Sequence, residues 1–221
     1  MTQPDLPALM TGRQTPGDPL AAAIRAARQG VDAGLICWRI DDGDGRALRA
    51  ALVLAPDDGD PAPARALPAC AVALRDAMGV LIPSEVGITF DWSGAIRANG
   101  GRCGRIGLHA PDDGAWLIVL LDLTFALPEG PEPGHRPQDT ALDQEGCASL
   151  SPVDLLSAWA RHGLFHLHNL DDPRGGVELA RNWHGLIHDI SSGQALGLDQ
   201  DMALIRPGKA PLALTTLINR V

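Results

Sequence analysis

Apolar positions along the chain fall into short runs separated by glycine, proline and aspartate, and their spacing alternates between helical and strand-like. Leu20–Gln29 is Ala-rich, with Pro19 suited to a first helical turn, Arg25 and Arg28 toward the C-terminal end and Gly30 beyond it, so it predicts a helix. Gly34–Ile40 and Leu48–Leu54 are apolar runs on either side of the polar turn DDGDGRA and predict two strands of one sheet. After the acidic, Pro-rich loop Pro56–Pro63, Ala64–Met78 has helical spacing, with Gly79 expected to close it. Val86–Phe90 predicts a strand, and Trp116–Thr124 is apolar enough to predict a strand buried on both faces. Pro128–Pro137 is a Pro/Gly/Glu loop. Ser151, with Pro152 and Asp154 after it, is the cap of a helix expected to reach about Gly163, and Gly176–Ile187 predicts another. From Ser191 onward short strands alternate with Gly- and Pro-centred turns.

The strongest local signal is Phe90–Leu108, FDWSGAIRANGGRCGRIGL. It predicts a β-hairpin turning at Asn99-Gly100, because a type I′ turn needs two residues that tolerate positive φ. This segment resembles, without a gap, the biotin protein ligase signature Lys-Trp-Pro-Asn-Asp-(three residues)-Asn-Gly-Lys-Lys-Val-Ala-Gly-Ile. Trp92, Ile96, Asn99, Gly100 and Ile106 keep its frame. The charged positions differ: Asp91 stands for the first lysine, Ser93-Gly94-Ala95 for Pro-Asn-Asp, Arg102 for the lysine of the second strand, and Arg105 for its glycine. Thr140-Ala-Leu compares with the family's Thr-Ser-Leu. Gly193, Gly197, Asp199 and Ala203-Leu204-Ile205 resemble the small SH3-like module at the C-terminus of bacterial biotin ligases, the competing reading being a hairpin packed on the main domain. The resemblance implies an α+β fold of the class II synthetase and biotin ligase type: a mixed, largely antiparallel sheet covered by helices, here expected on one side. Residues 1–188 would form the ligase-like domain and 189–221 the small β-module.

Composition narrows the function. The 221 residues suffice for one sizeable domain with a small module, and a formal charge of −9 argues against a nucleic-acid partner, which needs a basic face. With 4% aromatic residues and no tyrosine, the core must be built from Leu, Ala, Val and Ile. No apolar run approaches the roughly 20 residues of a membrane span. The start MTQPDLPALM lacks a basic segment followed by an apolar one, so a cytoplasmic protein is expected. Cys37, Cys70, Cys103 and Cys147 form no CxxC pair and read as buried free thiols. His162, His166 and His168, with His184 and His188, have partial metal-ligand spacing. No HExxH order or nearby cysteine joins them, so no metal site is assigned.

The family's reaction, as the resemblance implies it, joins a carboxylic acid to ATP and passes the acyl group to a carrier lysine. Such a site needs fixed positive charge and usually Mg²⁺. Where the family has a basic Gly-rich loop, this chain has Asp41-Asp42-Gly43-Asp44-Gly45-Arg46 and then Arg49. The resemblance makes Arg102 the candidate catalytic residue, and Trp92, Asn99, Gly100, Arg46, Arg49, Thr15 and Arg105 the candidate ligand contacts. ATP, Mg²⁺ and biotin or lipoate are the cofactors and substrates of an active enzyme. The expected function is a ligase-like protein with altered motifs that binds a small carboxylate or a biotinyl- or lipoyl-carrier domain, with weak or no ligation. The alternatives are a working ligase in which arginines replace the usual lysines, and a non-catalytic interaction protein on the same scaffold.

Overall fold

The computed structural model describes residues 3–43, 45–56, 62–110, 115–128 and 138–220. Asp44 of the acidic turn, residues 57–61 and residues 129–137 therefore lie outside the described residues. In chain order the main elements are β1 (Thr11–Gln14), α1 (Pro19–Arg28), β2 (Leu35–Asp42), β3 (Arg46–Leu54), α2 (Ala66–Leu81), β4 (Ile88–Phe90), β5 (Ala95–Ala98), β6 (Gly101–His109), β7 (Leu117–Ala126), α3 (Pro152–His168), α4 (Pro173–Leu186), α5 (His188–Ser191), β8 (Gly197–Leu198) and β9 (Leu204–Ile205).

Seven strands form one sheet in the order β1-β2-β3-β7-β6-β5-β4. The β1–β2 pair is parallel and the other five pairs are antiparallel. The sheet is thus mixed and largely antiparallel, as expected. Its helices correct the one-sided expectation. The face carrying Ile36, Trp38, Leu48, Leu52, Val119 and Leu123 packs into the large core with α2 and α3. The opposite face, carrying Leu35, Cys37, Ala51, Val53 and Ile118, packs against Ala22, Ala23, Ala26 and Ala27 of α1. Strand side chains alternate in direction, so apolar residues at consecutive positions demand cover on both sides.

Helix ends show where local signals yield to context. Asp18 caps α1, accepting hydrogen bonds from the Leu20 and Ala21 N–H groups at 3.2 and 3.1 Å, and Pro19 follows at the first turn. α2 does not stop at Gly79. It continues to Leu81 and ends where Pro83 holds Ile82 in an extended conformation (φ −114°, ψ 162°). α3 begins as expected at Ser151, whose Oγ accepts from the Asp154 N–H at 3.3 Å, but it runs past the buried Gly163 to His168.

The hairpin forms where the sequence placed it. Asn99 and Gly100 both have positive φ (49° and 90°) between β5 and β6. The Asn99 side chain ties the tip down, with Oδ1 accepting from the Gly87 N–H at 2.9 Å and Nδ2 donating to Glu145 at 3.0 Å.

The C-terminal β8–β9 pair is antiparallel, and its turn is organised by Asp199, whose Oδ1 accepts from the Asp201 and Ala203 N–H groups at 2.9 and 2.8 Å. This small sheet is compatible with the expected β-module. Met202, Leu204, Leu214 and Leu217 nevertheless belong to the same hydrophobic core as the main sheet. Among the described residues no helix is long and apolar enough to cross a membrane.

Candidate functional site

One row of side chains crosses the α1 face of the sheet perpendicular to the strands: Arg39 pairs with Arg49, Arg49 with Asp122, and Asp122 with Arg105. The next row, two residues along each strand, contains Cys37, Ala51, Leu120 and Gly107. The second row is largely apolar and lies under or beside α1. The first row lies beyond the helix start and is open. Between them is a cleft of about 270 Å³, walled by Asp18, Pro19 and Leu20 at the start of α1 and floored by these strands.

The row's charges are not equivalent. The Arg49 Nε is 3.5 Å from Asp41 Oδ2 and 3.6 Å from Asp122 Oδ2, so two carboxylates flank it. Asp41 also pairs with Arg39. Burial pushes the Asp122 carboxyl above its ordinary value; Arg49 pulls it back and the Asp41 charge pushes it further up. Arg105 lines the cleft with no hydrogen-bond or ion-pair partner among the described residues.

Arg102 has a different fate. Its Nε and Nη2 donate to Asp139 Oδ1 at 2.8 and 2.6 Å, while its backbone N–H donates to Gln138 and its carbonyl accepts from the Thr140 N–H. It does not line the cleft. A bulge between Ile96 and Arg97 sets Arg102 opposite Arg97 and Arg105 opposite Ala95. Ala95 and Arg97 are two residues apart, so Arg102 and Arg105 project from the same face although they are three apart in sequence.

The other candidates are dispersed. Trp92, expected beside the cleft, is instead buried against the C-terminal segment: its backbone N–H donates to Asp189 at 2.6 Å and its Nε1 to the Met202 carbonyl at 3.2 Å. Asn99 and Gly100 are at the hairpin tip, away from the cleft. Arg46 lies over the Phe125 ring at 5.7 Å. Thr15 is buried, with Oγ1 donating to the Gly17 carbonyl at 2.9 Å, so it shapes the turn before α1 rather than the cleft floor. Asp91, at the first signature lysine, holds Arg97 through two bonds of 2.6 and 2.9 Å. The structure therefore brings together only Arg49 and Arg105 of the candidate set.

Asp18, Gly107 and Asp122 were missed by sequence reasoning. An acidic residue inside the apolar run Trp116–Thr124 was the available signal for Asp122. His166 Nε2 is 2.8 Å from Asp76 Oδ2, and among the described residues no three metal-ligating side chains gather.

The sequence profile of the biotin/lipoate A/B protein ligase family matches residues 6–185. The chain belongs to that family. It is 36% identical to a biotin protein ligase-like protein of unknown function from a Silicibacter species, whose crystal structure superposes with a TM-score of 0.85 over 99% of this chain and 100% of that one. The biotin protein ligase of Aquifex aeolicus in complex with biotin and ATP shares the fold at 10% identity (TM-score 0.71, 93% of this chain and 95% of that one). So does the Leishmania major ligase in complex with biotin, at 15% identity (TM-score 0.59, 82% of each chain). No curated protein sequence matches the chain.

Family members that use ATP need positive charge for its phosphates. Beside the acidic turn Arg39 and Arg49 are paired with Asp41, Arg46 lies over the Phe125 ring, and Arg102 is paired with Asp139. A carboxylate about 4 Å from a phosphate costs about 1 kcal/mol even in bulk water and more in a dry site.

Proposed function

We propose that this protein is a divergent ligase-family member that binds a small organic carboxylate, or a carrier domain presenting one, with weak or no ATP-dependent ligation. The observation that carries this reading is the contrast on β6: Arg102, at the family's lysine position, is engaged by Asp139, while the Arg105 side chain, at its glycine position, lines the cleft without a partner among the described residues. A guanidinium in this setting can fork onto a carboxylate. Arg49 at the same cleft adds charge, moderated by its two carboxylate neighbours. Acyl transfer through an adenylate, by contrast, depends on preorganised charge at the phosphate. Losing one such group typically costs about 10²–10³ in rate, and here both signature lysines and the basic loop are altered.

In this reading residues 1–188 form the ligand-binding part, and residues 189–221 a small SH3-like module held against it by Trp92 and Met202. Four buried free thiols support a reducing, cytoplasmic setting. The test is calorimetric titration with biotin, lipoate and octanoate, each with and without ATP and Mg²⁺, followed by mass spectrometry of a carrier-domain lysine. Binding of an acid without lysine acylation is expected. Efficient ATP-dependent acylation would instead make the protein a working ligase whose arginines replace the usual lysines.

A further inference from the structure

The cleft beside α1 presents one polar row and one apolar row, about 7 Å apart along the strands. The polar row holds Arg49, Asp122 and Arg105; the apolar row holds Leu120 and Gly107, with Pro19 and Leu20 beside it. Two residues further along the same face, Val53 and Ile118 are fully buried beneath α1, so the helix closes the cleft soon after its apolar row. The volume of about 270 Å³ falls below the range of roughly 300–1,000 Å³ usual for pockets that enclose drug-sized ligands. A slim apolar chain fits most easily between the apolar row and the closing helix.

The charges also count out one anion and no more. Arg49 is offset by Asp41 and Asp122, which leaves Arg105 as the cleft cation without a partner among the described residues. A second negative group on the ligand would meet Asp122 in the same row or Asp18 at the helix start.

We propose that Arg105 makes this cleft selective for a short apolar monocarboxylate, held by its carboxylate on the guanidinium with its chain over Gly107 and Leu120. This rests on the small-carboxylate reading above and adds the residue, the orientation and the size class. Dicarboxylates and bulky-headed acids are excluded, the first by charge and the second by α1.

The experiment is calorimetric titration of the full chain with hexanoate, adipate, biotin and lipoate, repeated on Arg105→Ala and Arg105→Lys. Hexanoate is expected to bind at least tenfold more tightly than adipate, biotin or lipoate. Arg105→Ala should lose at least tenfold for hexanoate, and Arg105→Lys should keep binding within a few-fold. Arg105 is exposed, so both variants should melt with the wild type; if the alanine variant does not, Arg105→Gln replaces it. Adipate or biotin binding as tightly as hexanoate, or an alanine variant that binds like wild type, would overturn the role of Arg105 while leaving a carboxylate-binding protein. Failure of every acid to bind would overturn both readings.

Discussion

On one face of the sheet Ile36, Trp38, Leu48, Leu52, Val119 and Leu123 lie in a core shared with α2, α3 and α4; on the other, Cys37, Ala51, Val53 and Ile118 lie beneath α1 alone. Both faces come from alternate residues of the same strands. A ten-residue helix is about 15 Å long, whereas seven strands span about 29 Å from first to last. One helix cannot cover that face. The alanines of α1 let it sit close over β2, β3 and β7, and the uncovered rows beside its N-terminus carry Arg39, Arg49, Asp122 and Arg105. The contrast teaches that the fold assigns stability to the thickly covered face and leaves chemistry to the thinly covered one.

The sharpest way to break this division is to attack the thick side. Trp159 is fully buried on α3, and its Nε1 donates to the Cys70 carbonyl on α2 at 3.0 Å. Trp159→Ala should cost about 3–5 kcal/mol in denaturant unfolding. A loss under 1 kcal/mol would mean the helical layer is not the stabilising one. On the thin side, Ala23 is wholly buried between α1 and the sheet. Ala23→Leu has no room and should cost about 1–3 kcal/mol by overpacking, while also weakening hexanoate binding as α1 lifts. An unchanged denaturation midpoint would show that α1 is only loosely seated.

The cysteines compare the faces through pH. Burial pushes the Cys70 thiol from 9.0 up to about 12, and Cys103 likewise to about 12. Cys37, on the α1 face, is also raised by burial, but Arg13 and Arg25 pull it back. A thiol raised in the folded state ionises first in the unfolded chain. Its stabilising effect is therefore complete below 9.0 and is lost as pH rises toward about 12. Melting curves should fall across that window, by up to about 1.4 kcal/mol per pH unit for each such thiol. Cys70→Ala should flatten the fall more than Cys37→Ala; the reverse order would contradict the difference in burial.

The smallest effect belongs to the cleft. A carboxylate about 6 Å from a bound anion in water repels it by about 0.7 kcal/mol. Asp122→Asn should therefore strengthen hexanoate binding about threefold by calorimetry, and weakened binding would show that Asp122 supports the ligand rather than repelling it.

Much of this architecture is legible from local chemistry. The I′ turn at Asn99-Gly100 requires only that two adjacent residues accept positive φ, and both do. Pro19 at the first turn of α1 and the Ser151-Pro152 cap of α3 place two helix starts from residues within three positions of each other. Helix ends at Gly79 and Gly163 were misread because glycine weakens a helix without stopping one that is packed along its length. Trp92 keeps its place in the signature, while the partners that hold it in the fold, Asp189 and Met202, lie 97 and 110 residues away.

The two arginines of β6 mark the boundary. Residue type and spacing put positive charge at positions 102 and 105, and strict strand alternation would send them to opposite faces. The bulge at Ile96/Arg97 turns both to the same face. Asp139, 37 residues beyond Arg102, then engages one of them, while α1 arrives over the sheet to make a cleft beside the other. Turns and caps depend on bonds within a few residues, which any reading of the chain contains. Which charge is neutralised and which is left facing a cavity depends on groups brought together only when the sheet and its covering helices have packed.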